Sequence, residues 1–466
     1  MSVLDVKIAA ARAVGELARR AGRGGGTSLP GKVLTRLDPQ AIERMAGRLP
    51  QGCAVISSTN GKTTTAVMAA AILERAGTTL VHNRAGANMA GGVASTLLEA
   101  ARRGGTIDGE LGLFELDEFW LDRVVPQLRP RAVVLGNLFR DQLDRYGELE
   151  TIADRWAATV AGLPAGAALA CNADDPLIAD LGRQRADTRY FGVEDPAMAT
   201  AEMQHASDSK HCRRCGAAYV YDAIYLGHLG VYHCPSCGQR RPEPAVSARD
   251  IELHGTRSAT FTLHAGTAVA HIELPLPGLY NVYNALGAAT LCLGLGVSVE
   301  TIAAGLAAVS PAFGRAERVT IGAQELSILL IKNPAGANEI LRTLVLEPEE
   351  LDLLAILNDR TADGRDISWI WDADFEMLAG RVRHVTCAGT RAAELALRLK
   401  YAGLPGERLT VVPALASALD ASLAASPDGR LFALPTYTAL LELRSELQRR
   451  GHVGAFWSRE TAGAQR

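Results

Sequence analysis

At 466 residues the chain is long enough for two to four domains, each able to bury its own core. Charged residues make up 21% and hydrophobic residues 48%, the balance of a folded soluble protein. A formal net charge of −3 gives no electrostatic reason to expect nucleic acid or an anionic membrane as partner.

Met1 to Arg20 is amphipathic and carries acids, so it lacks the unbroken apolar run of a signal peptide. No stretch offers about 18 consecutive apolar residues, so no bilayer span is expected and the cytoplasm is the expected compartment. Ile8, Ala11, Val14, Leu17 and Ala18 recur at helical spacing within residues 7–21. Gly22-Arg23-Gly24-Gly25-Gly26-Thr27 follows as a glycine-rich loop with no strand before it, which reads equally well as a flexible linker. A helix is expected over roughly Pro39 to Leu49. Residues 1–50 form a helical segment too short to hold a binding site of its own.

Cys53-Ala54-Val55-Ile56-Ser57 is a short apolar strand. It meets the polar turn Ser58-Thr59-Asn60-Gly61 and then Lys62-Thr63-Thr64-Thr65, which opens a helix-forming run from Ala66 to Ala76. Strand, tight loop and helix are the context of a phosphate-binding loop, because the backbone N–H groups of the turn and helix start face an anion. Lys62 supplies a point charge to the β- and γ-phosphates, and Thr63 a hydroxyl for Mg²⁺. The pattern G-x-x-x-x-G-K-[ST] asks for glycine where this chain has Ile56.

Strands and helices then alternate. Thr79-Leu80-Val81 is followed by the polar turn Asn83 to Asn88, which opens a helix. Leu111 to Leu116 is a strand that runs out into Glu115, Asp117 and Glu118, where a Mg²⁺ ligand is expected downstream of such a loop. Glu115 with Thr63 is the first choice for that metal. Asp117 and Glu118 are the alternatives, since successive strand residues face opposite ways. Ala132 to Asn137 and Ala167 to Cys171 are further strands, leading into Leu138 to Gly147 and Asn172 to Pro176. Strands that repeatedly end in polar loops imply a parallel sheet with its site at the strands' carboxyl ends.

Cys212-Arg213-Arg214-Cys215 and Cys234-Pro235-Ser236-Cys237 break the pattern. Two C-x-x-C pairs at this separation suit one tetrahedral Zn²⁺ with a structural role, because four protein thiolates leave no open position for catalysis. Gly216 and Gly238 permit the tight turns after each pair. Residues from about 205 to 245 thus read as a zinc ribbon inserted in an α/β domain. Cys53, Cys171 and Cys292 sit in apolar surroundings and read as packing residues.

Residues 259–274 alternate like strands, and Gly278 to Leu286 enters an alanine-rich helix. Asn281 and Asn284 share one face of it. Exposed there, they are either simply solvated or offer the paired donor and acceptor that an adenine edge needs. A domain boundary falls near Ser310-Pro311, so the first α/β domain spans 51–310. Beyond it, Gly314-Arg315 precedes a strand from Leu326 to Ile331 that ends in Lys332-Asn333-Pro334. Leu353 to Leu357 ends in a loop carrying Asp359, Asp363 and Asp366, which reads equally as a solvated acidic turn or a ribose contact for ATP. Val385 to Gly389 and Leu431 to Tyr437 complete a second α/β domain over 311–466.

Ser58 to Thr65 resembles the ATP-binding loop of the Mur ligases and folylpolyglutamate synthases, with Ser58 in place of a glycine. Glu115 to Glu118, Asn137 to Gly147, Asn172 to Pro176, Gly278 to Asn284, Gly314-Arg315 and Asn333-Pro334 follow in the order of the Mur ligase series. Three features are similar to its MurT branch. These are a short N-terminal segment instead of a domain for a UDP group, the four-cysteine ribbon, and the C-terminal run Asp363-Gly364-Arg365-Asp366, Ser368 to Asp372 and Pro435 to Ala439. The chain departs from the general pattern at Gln142 and Lys332, where many Mur ligases have histidine.

The resemblance implies a Mur ligase-like P-loop ATPase domain and a Rossmann-like C-terminal domain. It implies contacts to ATP from Thr59, Asn60, Gly61, Lys62, Thr63, Thr64, Asn281, Asn284, Arg315 and Asn333. It implies an ATP-dependent carbon–nitrogen ligase that phosphorylates the D-glutamate α-carboxylate of lipid II at the inner face of the membrane. It implies that a GatD-type glutaminase, held in a heterodimer, supplies the ammonia. The branch is further expected to lend an aspartate to the partner's Cys-His pair; Asp359 is the first choice, with Asp363 and Asp366 as alternatives. The competing readings are an amino-acid ligase of the same fold and a nucleotide-dependent scaffold without turnover.

Overall fold

A computed structural model describes residues 3–20, 28–83, 87–102, 106–141, 149–204, 207–309, 315–426 and 429–454. The glycine-rich loop at 22–27, Gln142 to Gly147, Gly314 and the Arg315 side chain lie outside the described residues. The chain divides into two compact units, residues 1–253 with 257–310, and residues 254–256 with 311–466.

The first unit is built on a sheet of β1 (Cys53–Ser57), β2 (Leu80–His82), β3 (Leu111–Leu116), β4 (Ala132–Leu135), β5 (Ala168–Asn172), β6 (Arg189–Val193), β9 (Val246–His254), β10 (Ser258–Ala265) and β11 (Ala268–Leu274). Its order is β11-β10-β9-β6-β5-β4-β1-β3-β2, and the pairings from β2 through β9 are parallel. β1, β3 and β4 are buried along their whole length, because helices cover both faces of a parallel sheet. That is why these strands read as unbroken apolar runs. β1 lies between β3 and β4, so the order in which strands are laid down reverses across it. A crevice at such a reversal opens at the carboxyl ends of the strands.

The N-terminal helix Val3–Arg20 forms as the spacing predicts, and Leu4, Ile8 and Ala11 join the core under β1 and β3. The helix expected over Pro39 to Leu49 is instead Ala41–Ala46, with a second helix, Leu29–Leu37, before it. Pro30 opens that second helix, since its fixed φ suits a first turn. The insertion carries the hairpin β7 (Val220–Leu226) and β8 (Leu229–His233), paired antiparallel.

The second unit has the sheet order β12-β13-β17-β14-β15-β16. The strands are β12 (Arg315–Ile321), β13 (Gln324–Leu329), β14 (Leu351–Ile356), β15 (Val382–Ala388), β16 (Leu409–Val411) and β17 (Arg430–Pro435). All pair in parallel except β12 with β13. β6, β9, β12 and β16 escape the sequence pattern: Arg315 begins a strand instead of preceding one, and β16 is only three residues long. No helix among the described residues is long and apolar enough to cross a membrane.

Candidate active site and metal centre

The loop after β1 is closed by Gly61, whose φ of +87° is left-handed. A Cβ there would lie 1.9 Å from Asn284 Oδ1, so the position admits only glycine. Asn137, just after β4, stitches the loop in place. It accepts the Thr59 N–H on its carbonyl at 3.0 Å, and its side chain exchanges hydrogen bonds with the Asn60 backbone at 2.9 and 3.0 Å. The helix Lys62–Arg75 follows with its N-terminus at the loop, the geometry that favours an anion. Thr64, in its first turn, is buried.

Lys62 is 7% exposed and turned into this loop. Its Nζ donates to the Ser58 carbonyl at 3.1 Å, the Thr59 carbonyl at 3.4 Å and Glu118 Oε2 at 3.1 Å. Burial by itself lowers the amine's pKa, but Glu118 and then Asp117, Glu115 and Asp141 outweigh it and hold the pKa above its ordinary value. The lysine is therefore a fixed positive charge. The acids around it outnumber it, so the loop end carries an excess of negative charge that could favour a cation.

Thr63 Oγ1 donates to Glu115 Oε1 at 2.9 Å, and Asn88 Nδ2 reaches the same oxygen at 3.4 Å. Asn83 fixes the end of β3 by accepting the Glu115 N–H at 2.9 Å and donating to its carbonyl at 2.8 Å. Thr63 and Glu115 thus present hard oxygen donors side by side, the ligand type Mg²⁺ takes. Strand alternation does not decide among the three acids. The chain leaves β3 after Leu116, so Glu118 swings back to Lys62 while Asp117 caps its own turn through the Phe119 N–H at 3.1 Å. The sequence marks Asn83 and Asn88 only as the ends of a polar turn and Asn137 only as the start of a family-like run, and gives none of the three a role of its own.

Asn281 and Asn284 are buried at 3% and 7% exposure, not exposed as the sequence suggests. Asn281 donates to the Pro277 carbonyl at 2.7 Å, and Asn284 donates to Asn281 Oδ1 at 3.0 Å. Asn284 Oδ1 accepts Thr65 Oγ1 at 3.3 Å. The pair braces the loop from the facing helix Leu279–Gly294.

The four thiols converge. Cys212, Cys215, Cys234 and Cys237 place their sulfurs within 4.8 Å of one another, with Cys212–Cys237 at 3.6 Å and Cys215–Cys234 at 3.4 Å. Tetrahedral Zn–S bonds of about 2.3 Å put sulfurs about 3.8 Å apart, so these residues fit the ion. The Gly216 and Gly238 N–H groups close each knuckle onto the Cys212 and Cys234 carbonyls at 2.8 and 3.0 Å. The Cys237 N–H pulls the Cys234 thiol down to about 6, towards the thiolate a metal requires.

In the second unit, Asp359, Asp363 and Asp366 follow β14 but meet different partners. Asp359 accepts Thr390 Oγ1 at 2.8 Å and Arg391 Nε at 2.7 Å; these bonds, Thr390's first, hold its pKa below the usual carboxylate range. Asp363 is buried and accepts the Thr438 N–H at 2.7 Å together with the Thr438 hydroxyl. Asp366 is exposed and accepts the Ser368 N–H at 2.8 Å, which lowers its pKa. Asn333 is fully buried and caps the helix Pro334–Val345 through the Gly336 N–H at 2.8 Å.

Two family descriptions match the sequence, the Mur ligase middle domain over residues 56–232 and the MurT ligase C-terminal domain over residues 330–440. The chain is 33% identical over 442 residues to the MurT subunit of lipid II isoglutaminyl synthase (glutamine-hydrolyzing) from Staphylococcus aureus, covering 93% of this chain and 96% of that protein. It is 32% identical over 432 residues to the subunit of the same name from Streptococcus pneumoniae, covering 92% and 93%. Among solved structures it is similar in fold to a pseudomurein peptide ligase type C from Methanothermus fervidus. The TM-score is 0.64 at 22% identity, over 86% of this chain and 79% of that one.

Proposed function

The chain belongs to the MurT family of ATP-dependent ligases, and from that premise we propose that it is the synthetase subunit of a lipid II isoglutaminyl synthase. A D-glutamate α-carboxylate oxygen in the lipid II stem peptide attacks the γ-phosphorus of Mg·ATP, the bond to ADP breaks, and an acyl phosphate forms. Ammonia released from glutamine by a GatD-type partner adds to the acyl carbon. Phosphate leaves, a proton is lost, and D-isoglutamine remains. The lipid-linked substrate brings the chain to the inner face of the membrane.

The observation that carries this reading is the contact of Thr63 with Glu115 beside the buried Lys62–Glu118 pair. Thr63 and Glu115 are assigned to Mg²⁺. Lys62 leaves the loop carbonyls and Glu118 for the phosphate, where negative charge develops during transfer. The ribbon holds one structural Zn²⁺ through Cys212, Cys215, Cys234 and Cys237. A carboxylate from the 359–366 loop orients the partner's catalytic histidine; Asp359, ionised and partly exposed, is the first choice.

The test is an assay with the glutaminase partner, lipid II, glutamine and Mg·ATP. ADP and phosphate are expected only when lipid II and a nitrogen donor are both present, with amidated stem peptide detected by mass. Turnover that instead requires a free amino acid as acceptor would reassign the chain to amino-acid ligation.

A further inference from the structure

The tip of the ribbon is sealed against the segment that holds the nucleotide loop. The hairpin β7–β8 turns at Gly227-His228, at the end opposite the four thiols. Turn residues are ordinarily solvated, yet His228 is 0% exposed. Its ring lies 4.4 Å from that of Phe139. Nδ1 accepts the Asp208 N–H at 3.4 Å, so the neutral ring carries its proton on Nε2. Nε2 faces Asp175 Oδ2 at 3.3 Å without an aligned hydrogen bond.

Asp175 accepts the Leu138 N–H at 2.9 Å with that same oxygen. With the other it caps the helix Pro176–Gly182 through the Leu177 and Ile178 N–H groups at 2.9 and 3.2 Å. Asp208, also within the insertion, takes the Arg140 N–H at 2.9 Å and pairs with the Arg140 guanidinium. Two insertion residues therefore grip Phe139 and Arg140, while Asp175, which His228 faces, holds Leu138. That segment is bonded in turn to the nucleotide loop: the Phe139 N–H donates to Thr59 Oγ1 at 3.1 Å, next to the Asn137 bonds to Thr59 and Asn60.

The hairpin connects this grip to the metal centre. Tyr221 Oη donates to the His228 carbonyl at 2.9 Å, and its ring lies 5.9 Å from that of Tyr232. Tyr232 meets Tyr219 at 4.9 Å, and both share a small core with Cys212 and Cys234.

We infer that His228 and Asp208 are positioning residues of the nucleotide site, and that the metal-bound ribbon is a strut fixing the loop at Thr59 and Asn60. The inference rests on the reading that this loop binds Mg·ATP. A loop already held in its binding conformation loses less freedom when ligand arrives, so the strut strengthens binding without touching the nucleotide.

The test uses the full chain and its His228→Ala, His228→Gln and Asp208→Ala variants. Zinc content, Mg·ATP affinity from a fluorescent ATP analogue, KM and kcat, and amide exchange at Thr59 and Asn60 are measured on each. The two alanine variants are expected to keep one zinc, bind nucleotide about tenfold more weakly through KM with kcat little changed, and exchange both amides faster. His228→Gln restores a donor towards Asp175 and is expected to recover most of the affinity. Chelation of zinc from the unaltered chain should speed the same two amides. Unchanged affinity and exchange in zinc-bearing Asp208→Ala would overturn the strut, even if His228→Ala fails to fold. The exchange arm needs no nucleotide. Faster amides in a chain that binds no Mg·ATP would therefore uphold the strut and refute only the reading of the site.

Discussion

Two groups of acids stand at the carboxyl ends of central parallel strands, Glu115 near the end of β3 with Glu118 just beyond it, and Asp359, Asp363 and Asp366 after β14. In sequence they look alike. The first pair is buried and faces Thr63 and Lys62 at the start of the helix after β1. The aspartates of the second group are satisfied by groups of their own unit, Thr390 and Arg391, Thr438, and Ser368. A carboxylate cluster is thus informative through what satisfies it. Held against a lysine and a threonine at the start of a helix, it has partners that a ligand could replace. Held by caps and an arginine, it is part of the scaffold or of a surface.

The largest effect that sharpens this contrast is expected at Lys62. Lys62→Ala should lower ATP-dependent turnover by about 10² to 10³. It should also destabilise the chain, because removing one partner of a buried pair costs about 3–5 kcal/mol. Lys62→Met combined with Glu118→Gln should recover the melting temperature without recovering turnover. If turnover returned with it, the charge of Lys62 would have no catalytic part.

The metal side comes next. Glu115→Ala should abolish the normal Mg²⁺ dependence of ADP formation. Asn83→Ala, which only loosens Glu115, should weaken apparent Mg²⁺ affinity roughly 10- to 100-fold, as outer-sphere partners typically do. An unchanged Mg²⁺ titration for Glu115→Ala would move the site to another acid.

In the second group, Asp359→Asn should reduce amidation with glutamine as donor about tenfold or more, and with free ammonia hardly at all. Asp363→Asn and Asp366→Asn belong in the same assay. If all three retain normal glutamine use in an intact complex, this loop lends nothing to the partner. Asp363→Asn should in addition lower stability, since the Thr438 bonds depend on the carboxylate.

The smallest effect is a pH dependence. The native pKa of Asp359 is depressed, so its contribution to stability is present above the unfolded value of about 3.9 and is lost as pH falls through the lower folded value. The urea midpoints of the chain and of Asp359→Asn should differ slightly at neutral pH and converge in acid. A difference that grows on acidification would contradict the Thr390 and Arg391 contacts.

Much of this was legible in the sequence because it is local. The loop at 57–65, the two knuckles and the apolar runs of β1, β3 and β4 each lie within a few residues, where spacing alone carries the signal. The same locality explains the misses. β6, β9, β12 and β16 are strands by virtue of their sheet neighbours, and Leu29–Leu37 is a helix whose opening residues read as loop.

The two α/β units, a strand–turn–helix carrying Lys62 and Thr63, two pairs of cysteines at ligand spacing, and the family were all readable from the sequence alone. Only the tertiary structure decided that Glu115 reaches Thr63 while Glu118 takes Lys62. It alone turned Asn281 and Asn284 inward, brought Asn83, Asn88 and Asn137 to the loop, and buried His228 of a surface hairpin against Asp175. The reason is physical: a chemical type at a given spacing is a property of the chain. Which buried polar group satisfies which other one is fixed only when distant segments pack and every such group must find a partner.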